Sequence, residues 1–239
     1  MRKLVAVNLL YFVFFSLITP IHASATVEGL VEQNIHVVYT IKNINSTLYD
    51  EILEQRIFNT LTIPRAIETY FEEQNLENVE LDHDSTREIF NNSTRSIQVE
   101  FYLSGSDVFD STVDRSAWTK TYNVETAWRK VHVNLTDDFS LDFAGYFQKP
   151  VSEWELVNYT VNGEVRPTYS YNFVDTTTFD PLCRFVLPAK ATNIRATQNT
   201  IIFELPLPLE DNLINSPFLI LGVLIAVNIV LVAYRKIRK

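Results

Sequence analysis

Residues 97–105 read IQVEFYLSG, in which Ile97, Val99, Phe101 and Leu103 alternate with Gln98, Glu100 and Tyr102 before a turn at Gly105. Successive side chains of an extended chain point to opposite faces, so a period of two marks a strand with one face in a core and the other in solvent. The same rhythm returns on both sides of this stretch. Residues 34–44 set Ile35, Val37, Tyr39 and Ile41 against His36, Thr40 and Lys42. Residues 118–124, 128–135, 154–161, 165–174, 183–187, 194–197 and 200–205 read as further strands, with Phe139, Leu141 and Phe143 alternating between them. Asn162-Gly163 separates two of these runs and is a strong hairpin signal, because both positions tolerate positive φ.

Two helical patches precede the β-rich part. Tyr49, Ile52, Leu53 and Ile57 recur at intervals of three and four, and a second helix starts near Thr62, with Pro64 in its first turn and Ile63, Ile67, Tyr70 and Phe71 on one face. Residues 75–95 are polar and lack sustained periodicity, which reads as a solvated connection. The expected fold is mainly β: an antiparallel β-sandwich-like domain with two short helices near its N-terminal side.

The ends have a different character. Residues 1–25 have the three-part layout of a cleaved signal peptide: Arg2 and Lys3, an apolar run from Leu4 to Ile18, then Pro20 and a small-x-small exit at Ala23 and Ala25. Residues 218–234, FLILGVLIAVNIVLVAY, carry no formal charge, and as a helix would extend about 26 Å, enough for the hydrocarbon core of a bilayer. RKIRK follows and places that end in the cytoplasm by the positive-inside rule. The expected organisation is therefore a signal peptide at 1–25, an extracytoplasmic domain at 26–204, a Pro-containing stalk at 205–216, a transmembrane helix at 217–234 and a basic tail at 235–239. Asn228 is the strongly polar side chain in the span, and an amide in hydrocarbon gains from a partner on another helix, so it marks a candidate helix contact.

Charge narrows the function. The net charge is −9, yet six basic residues lie in the terminal segments, so residues 26–216 hold fourteen basic side chains against 29 acidic ones. Such a surface repels phosphate backbones, which excludes nucleic acid as a natural partner. A single cysteine, Cys183, rules out an intramolecular disulfide, so burial and hydrogen bonding must hold the domain. Acceptor tripeptides Asn-x-Ser/Thr occur at Asn45, Asn91, Asn92, Asn134 and Asn158, all between the hydrophobic ends, as in a glycoprotein.

Catalytic and metal motifs are missing. His36, His83 and His132 have no short-spaced His or Cys partner, and Asp82-His83-Asp84 reads as a charged turn. Asp107, Asp110 and Asp114 do not follow calcium-loop spacing, and Cys183 stands in no nucleophile motif. No cofactor is expected. Among the aromatics, Trp154 stands apart: the alternation that turns Asn158 outward also turns Leu156 and Trp154 outward, which requires a sheet covered on both faces or a bulge. Trp154 is accordingly the candidate binding-surface residue. The functional expectation is a non-enzymatic single-pass membrane glycoprotein of the cell envelope. Its β-rich ectodomain would face outward and bind a protein partner in the envelope or membrane, with the lipid bilayer contacted through the C-terminal helix. The alternatives are an endoplasmic-reticulum membrane protein assisting glycoprotein maturation and a membrane-anchored, carboxylate-based glycan hydrolase.

Overall fold

The computed structural model describes residues 23–174 and 179–207, together with 221–222, 224–228 and 234. Nearly all of the expected signal peptide, most of the stalk and span, and the basic tail lie outside the described residues.

The fold is mainly β. Its strands in chain order are β1 (Ala23–Val31), β2 (Ile35–Lys42), β3 (Glu80–Asn91), β4 (Ser96–Ser104), β5 (Phe109–Asp114), β6 (Thr119–Glu125), β7 (His132–Asn134), β8 (Ser140–Asp142), β9 (Glu155–Val161), β10 (Glu164–Asn172), β11 (Phe179–Val186), β12 (Thr192–Thr197) and β13 (Thr200–Pro206). The helices are α1 (Ser46–Gln55), α2 (Thr62–Glu73) and the single turn α3 (Phe143–Tyr146), with 3-10 turns at Ala127–Arg129 and Val151–Glu153. Seven strands form one sheet in the order β3-β4-β2-β1-β11-β10-β9, four form a second in the order β12-β13-β6-β5, and β7 pairs with β8.

The period-two reading of residues 97–105 holds in space: Ile97, Val99, Phe101 and Leu103 are fully buried, and their neighbours on β4 are half-exposed. The same core face continues across the sheet through Val37 and Tyr39 of β2, Ala25 and Val27 of β1, and Cys183 and Phe185 of β11. Gly29 of β1 lies opposite Phe185, and a Cβ there would stand 3.0 Å from the ring, so a side chain would push Phe185 out of the core. On the second sheet Phe203 and Ile201 of β13 and Val124 of β6 are buried, and Phe109, Tyr122 and Phe203 stack in a row. Both sheets feed one hydrophobic cluster.

Several expectations change. The large sheet is mixed, not antiparallel throughout, because β1 runs parallel to β11. β1 itself was not foreseen. Its first three residues fall within the expected signal peptide, yet Ala23 and Ala25 are buried and paired with Phe179 and Pro181. Residues 75–95 are not a solvated connection: they contain β3, an edge strand whose register breaks between Asp82 and Arg87. As an edge with largely exposed side chains it needs no hydrophobic alternation, so its sequence carries no period to read. The run 128–135 is broken into a 3-10 turn and the three-residue β7, although Val131, Val133 and Leu135 are buried as expected. α1 ends at Arg56 in the left-handed region, which leaves Ile57 outside the helix.

Other local readings hold. Thr62 begins α2 with Pro64 in the first turn, and Ile63, Ile67 and Phe71 are buried. Asn162 and Gly163, both at positive φ, form the two-residue connection between paired β9 and β10. Among the described residues no helix is long and apolar enough to cross a membrane.

The place of β1 yields a stability prediction. A chain begun at Thr26 loses the pairing of Ala23, Ser24 and Ala25 to β11 on one side, and of Ser24 and Ala25 to β2 on the other. At roughly 1 kcal/mol per hydrogen bond, it should unfold in urea with about 2 kcal/mol less stability than a chain begun at Ala23.

Candidate functional site

The charged and aromatic side chains collect in two places, one sealed inside the domain and one spread across the outer face of the large sheet.

The sealed group centres on Arg129, which is fully buried in the 3-10 turn after β6. Its Nη1 donates to the Thr126 carbonyl at 2.9 Å and to the Thr126 hydroxyl at 3.0 Å; Nη2 donates to the Lys149 carbonyl at 3.0 Å and to Asn199 Oδ1 at 3.3 Å. The guanidinium lies 4.8 Å from the centre of the Trp154 ring. Trp154 is therefore not the exposed aromatic the alternation implied. It is 6% exposed and packs on Tyr171, Phe185 and Phe147, and its indole N–H donates to the Lys149 carbonyl. The alternation fails because β9 begins at Glu155: Trp154 closes the preceding 3-10 turn, so the period of the strand does not reach it.

Neither a second covering layer nor a bulge explains Leu156 and Val157. β9 is the outermost strand, paired to β10 without interruption, and both side chains are exposed. Trp118, by contrast, is 57% exposed. It lies in the turn before β6 and not within the strand itself.

Burial decides the chemistry of the sealed group. It pushes the Cys183 thiol up to about 12 and the Tyr39 phenol well above its ordinary value, and lowers Arg129 from its usual range. A thiol that stays protonated at neutral pH and has no route to solvent is no nucleophile. The Glu125 carboxyl is raised by burial, against the opposing pull of backbone N–H groups of Ala127 and Thr126 and of Arg129.

The outer face of the large sheet is built differently. Its side chains are half-exposed: Gln98, Glu100 and Tyr102 on β4, His36 and Val38 on β2, Thr26 and Glu28 on β1, Arg184 on β11 and Tyr159 on β9. His36 stacks on Tyr102 with ring centres 4.5 Å apart and approaches Glu100 at 3.5 Å. Glu28 pairs with Arg184 at 3.0 Å, and the Arg184 guanidinium lies 4.4 Å from the Tyr159 ring centre. Aromatic faces and paired charges thus run across the sheet in a broad patch.

The five acceptor asparagines Asn45, Asn91, Asn92, Asn134 and Asn158 are all exposed. Asn45 caps α1 by accepting from Leu48 N–H, while the Asn91 side chain organises the β3–β4 turn and Asn92 accepts from the Tyr49 hydroxyl at 2.8 Å. Asn158 sits at the middle of edge strand β9. Asn228 donates to the Leu224 carbonyl at 2.8 Å, so its amide has a partner within its own helix.

Among the described residues no group of three or more His, Cys, Asp or Glu side chains is placed to hold a metal ion. A groove of about 630 Å³ between α1, the following loop and β3 is lined by Arg56, Asn59 and Glu88, with Ile52, Leu53, Phe58 and Phe90 beneath. Burial raises the Glu88 carboxyl, but no second carboxylate lines the groove with it. Glycoside cleavage by the usual acid and base, or acid and nucleophile, needs two. Comparison of the chain with known protein families, curated proteins and solved structures finds no match.

Sequence reasoning missed Arg129 because one of two adjacent cations in AWRKVHVNL reads equally well as solvated; its burial depends on the distant carbonyl of Lys149 and the amide of Asn199. Trp118 carried a weak signal, since it follows the turn-forming Arg115-Ser116-Ala117.

Two outcomes follow from the sealed group. Arg129→Ala removes the four side-chain hydrogen bonds to Thr126, Lys149 and Asn199, leaves Asn199 Oδ1 without that donor and opens a cavity against the Trp154 ring, and should lower unfolding free energy by about 3–5 kcal/mol in urea titrations. Glu125 gives a pH signature. Because the folded state holds its proton more tightly than the unfolded one, stability falls as pH rises from the ordinary 4.5 through the raised value. Glu125→Gln keeps the acceptor for the two backbone N–H groups and should flatten that fall when unfolding is compared from pH 4 to pH 7.

Proposed function

We propose that the chain is a non-enzymatic single-pass membrane glycoprotein of the cell envelope, with a β-sandwich-like ectodomain that presents the outer face of its large sheet to a protein partner. The observation that carries the reading is the patch itself: Tyr102 on His36 and Tyr159 under Arg184, half-exposed on a broad sheet face. Such residues supply large contact area at small cost in side-chain entropy.

Other features support the surroundings of that patch. All five acceptor asparagines are exposed, as sugar attachment requires. Two sheets share one hydrophobic core, which favours a sandwich-like arrangement. Strand β13 ends at Pro206, close in the chain to the uncharged run that starts at Phe218 and ends against RKIRK. The sealed Cys183 argues against a thiol route to catalysis.

The decisive experiment joins topology to binding. Protease added to intact cells should digest the domain and leave a tag on the basic tail untouched, and deglycosylation should lower the apparent mass of the full chain. Affinity capture from gently solubilised membranes should recover a partner with the native chain and lose it with the double substitution Tyr102→Ser and Tyr159→Ser, whose melting temperature should stay close to native. Protection of the domain in intact cells would refute the orientation, and undiminished capture by the double variant would refute the patch.

A further inference from the structure

The β5–β6 turn has an exposed aromatic with no role in the core. Trp118 is 57% exposed, whereas Trp128 and Trp154 are 0% and 6% exposed. It adopts a left-handed backbone at φ 56, a conformation that is uncommon for a bulky residue. Asp114 holds the turn by accepting from the N–H groups of Ser116 and Ala117. Val113, at the end of β5, is 53% exposed.

The position of this turn in the chain gives it meaning. The carbonyl of Trp118 accepts a hydrogen bond from Leu207 N–H at 3.0 Å, and Pro206 pairs with Thr119. The tip therefore lies beside Pro206 and Leu207, at the C-terminal end of β13. Ten residues, 208–217, separate Leu207 from the C-terminal apolar run, and ten residues span at most about 35 Å. Arg115 in the turn, Lys120 against the Tyr122 ring and Lys190 beside Leu205 and Leu207 stand at this end of the domain, together with Asp114 of the same turn and with Glu32 and Glu164, which line the same hollow as Lys190. Tryptophan favours the bilayer interface, where its ring is partly buried and its N–H stays wet, and cations beside it favour anionic headgroups.

We propose that the β5–β6 turn is a second membrane contact, in which Trp118 inserts into the headgroup layer and holds this end of the ectodomain against the bilayer. This rests on the single-pass reading of the C-terminal run. It orients the domain: strands β5, β6 and β13 rise from the membrane.

The two buried tryptophans make a clean measurement available. The full chain is reconstituted in vesicles of phosphatidylcholine and phosphatidylglycerol, three to one, with and without acyl chains brominated near the headgroup. The Trp118 signal is the difference between native chain and Trp118→Phe, an exposed change that the fold should accept. Its emission should shift to the blue on reconstitution, fall at least twofold with brominated lipid, and resist acrylamide that quenches it in detergent. Carbonate-resistant flotation with the vesicles tests the span separately. A chain that floats but whose Trp118 signal stays open to acrylamide and unaffected by bromine overturns the inference while leaving the span intact. A chain that does not float overturns both. A photoreactive residue at position 118 that captures protein and no lipid in native membranes also overturns the inference.

Discussion

The parallel pairing of β1 with β11 organises the domain. Glu28 and Arg184, joined across it on the outer face, are 156 residues apart in the chain, and the pairing closes around nearly everything else that is described. Parallel neighbours cannot be joined by a short turn, and the intervening chain supplies the helices, the small β7–β8 ribbon and strands β5 and β6 of the second sheet, which β12 and β13 complete after β11. With one cysteine in the whole chain, no covalent link shares that task. The closure is entropically costly and the pairing non-local, conditions under which β-rich domains fold slowly.

Inside this closure the core is more polar than a sheet packed on apolar side chains would require. Arg129 enters it without a carboxylate in its hydrogen-bonding set: its two terminal nitrogens are held by the carbonyls of Thr126 and Lys149 and the amide of Asn199, while Nε has no partner. The three segments it ties together are the end of β6, the loop before β9 and the turn between β12 and β13. Trp154 caps the guanidinium and at the same time packs on Phe185, which occupies the space left by Gly29. One buried cation thus links the second sheet to the middle of the first.

The two edges of the large sheet are guarded by different means. β3 carries Glu80, Asp82, His83, Asp84, Arg87 and Glu88 and breaks its register midway, so a passing strand meets charge and an irregular ladder. β9 has no charge from Leu156 to Val161, and its centre is the acceptor Asn158. A sugar there would do for this edge what carboxylates do for the other, and the outer face between the edges would remain open.

Local chemistry in the sequence was enough to determine several elements: the buried row of β4, the turn at Asn162-Gly163 and the start of α2 at Thr62 each depend on residues within a few positions of one another. The charge distribution and the hydrophobic ends were equally plain, since they depend on composition alone. Tertiary structure decided the rest. β1 went unread because Ala23 and Ala25 look like a leader's exit until β11 lies beside them, and β3 because an exposed edge has no apolar period. Trp154 is buried against the expectation because a strand's alternation ends where the strand does, and β9 begins only at Glu155. Arg129 belongs to the interior only because carbonyls from distant segments converge on it, and no spacing along the chain records that convergence.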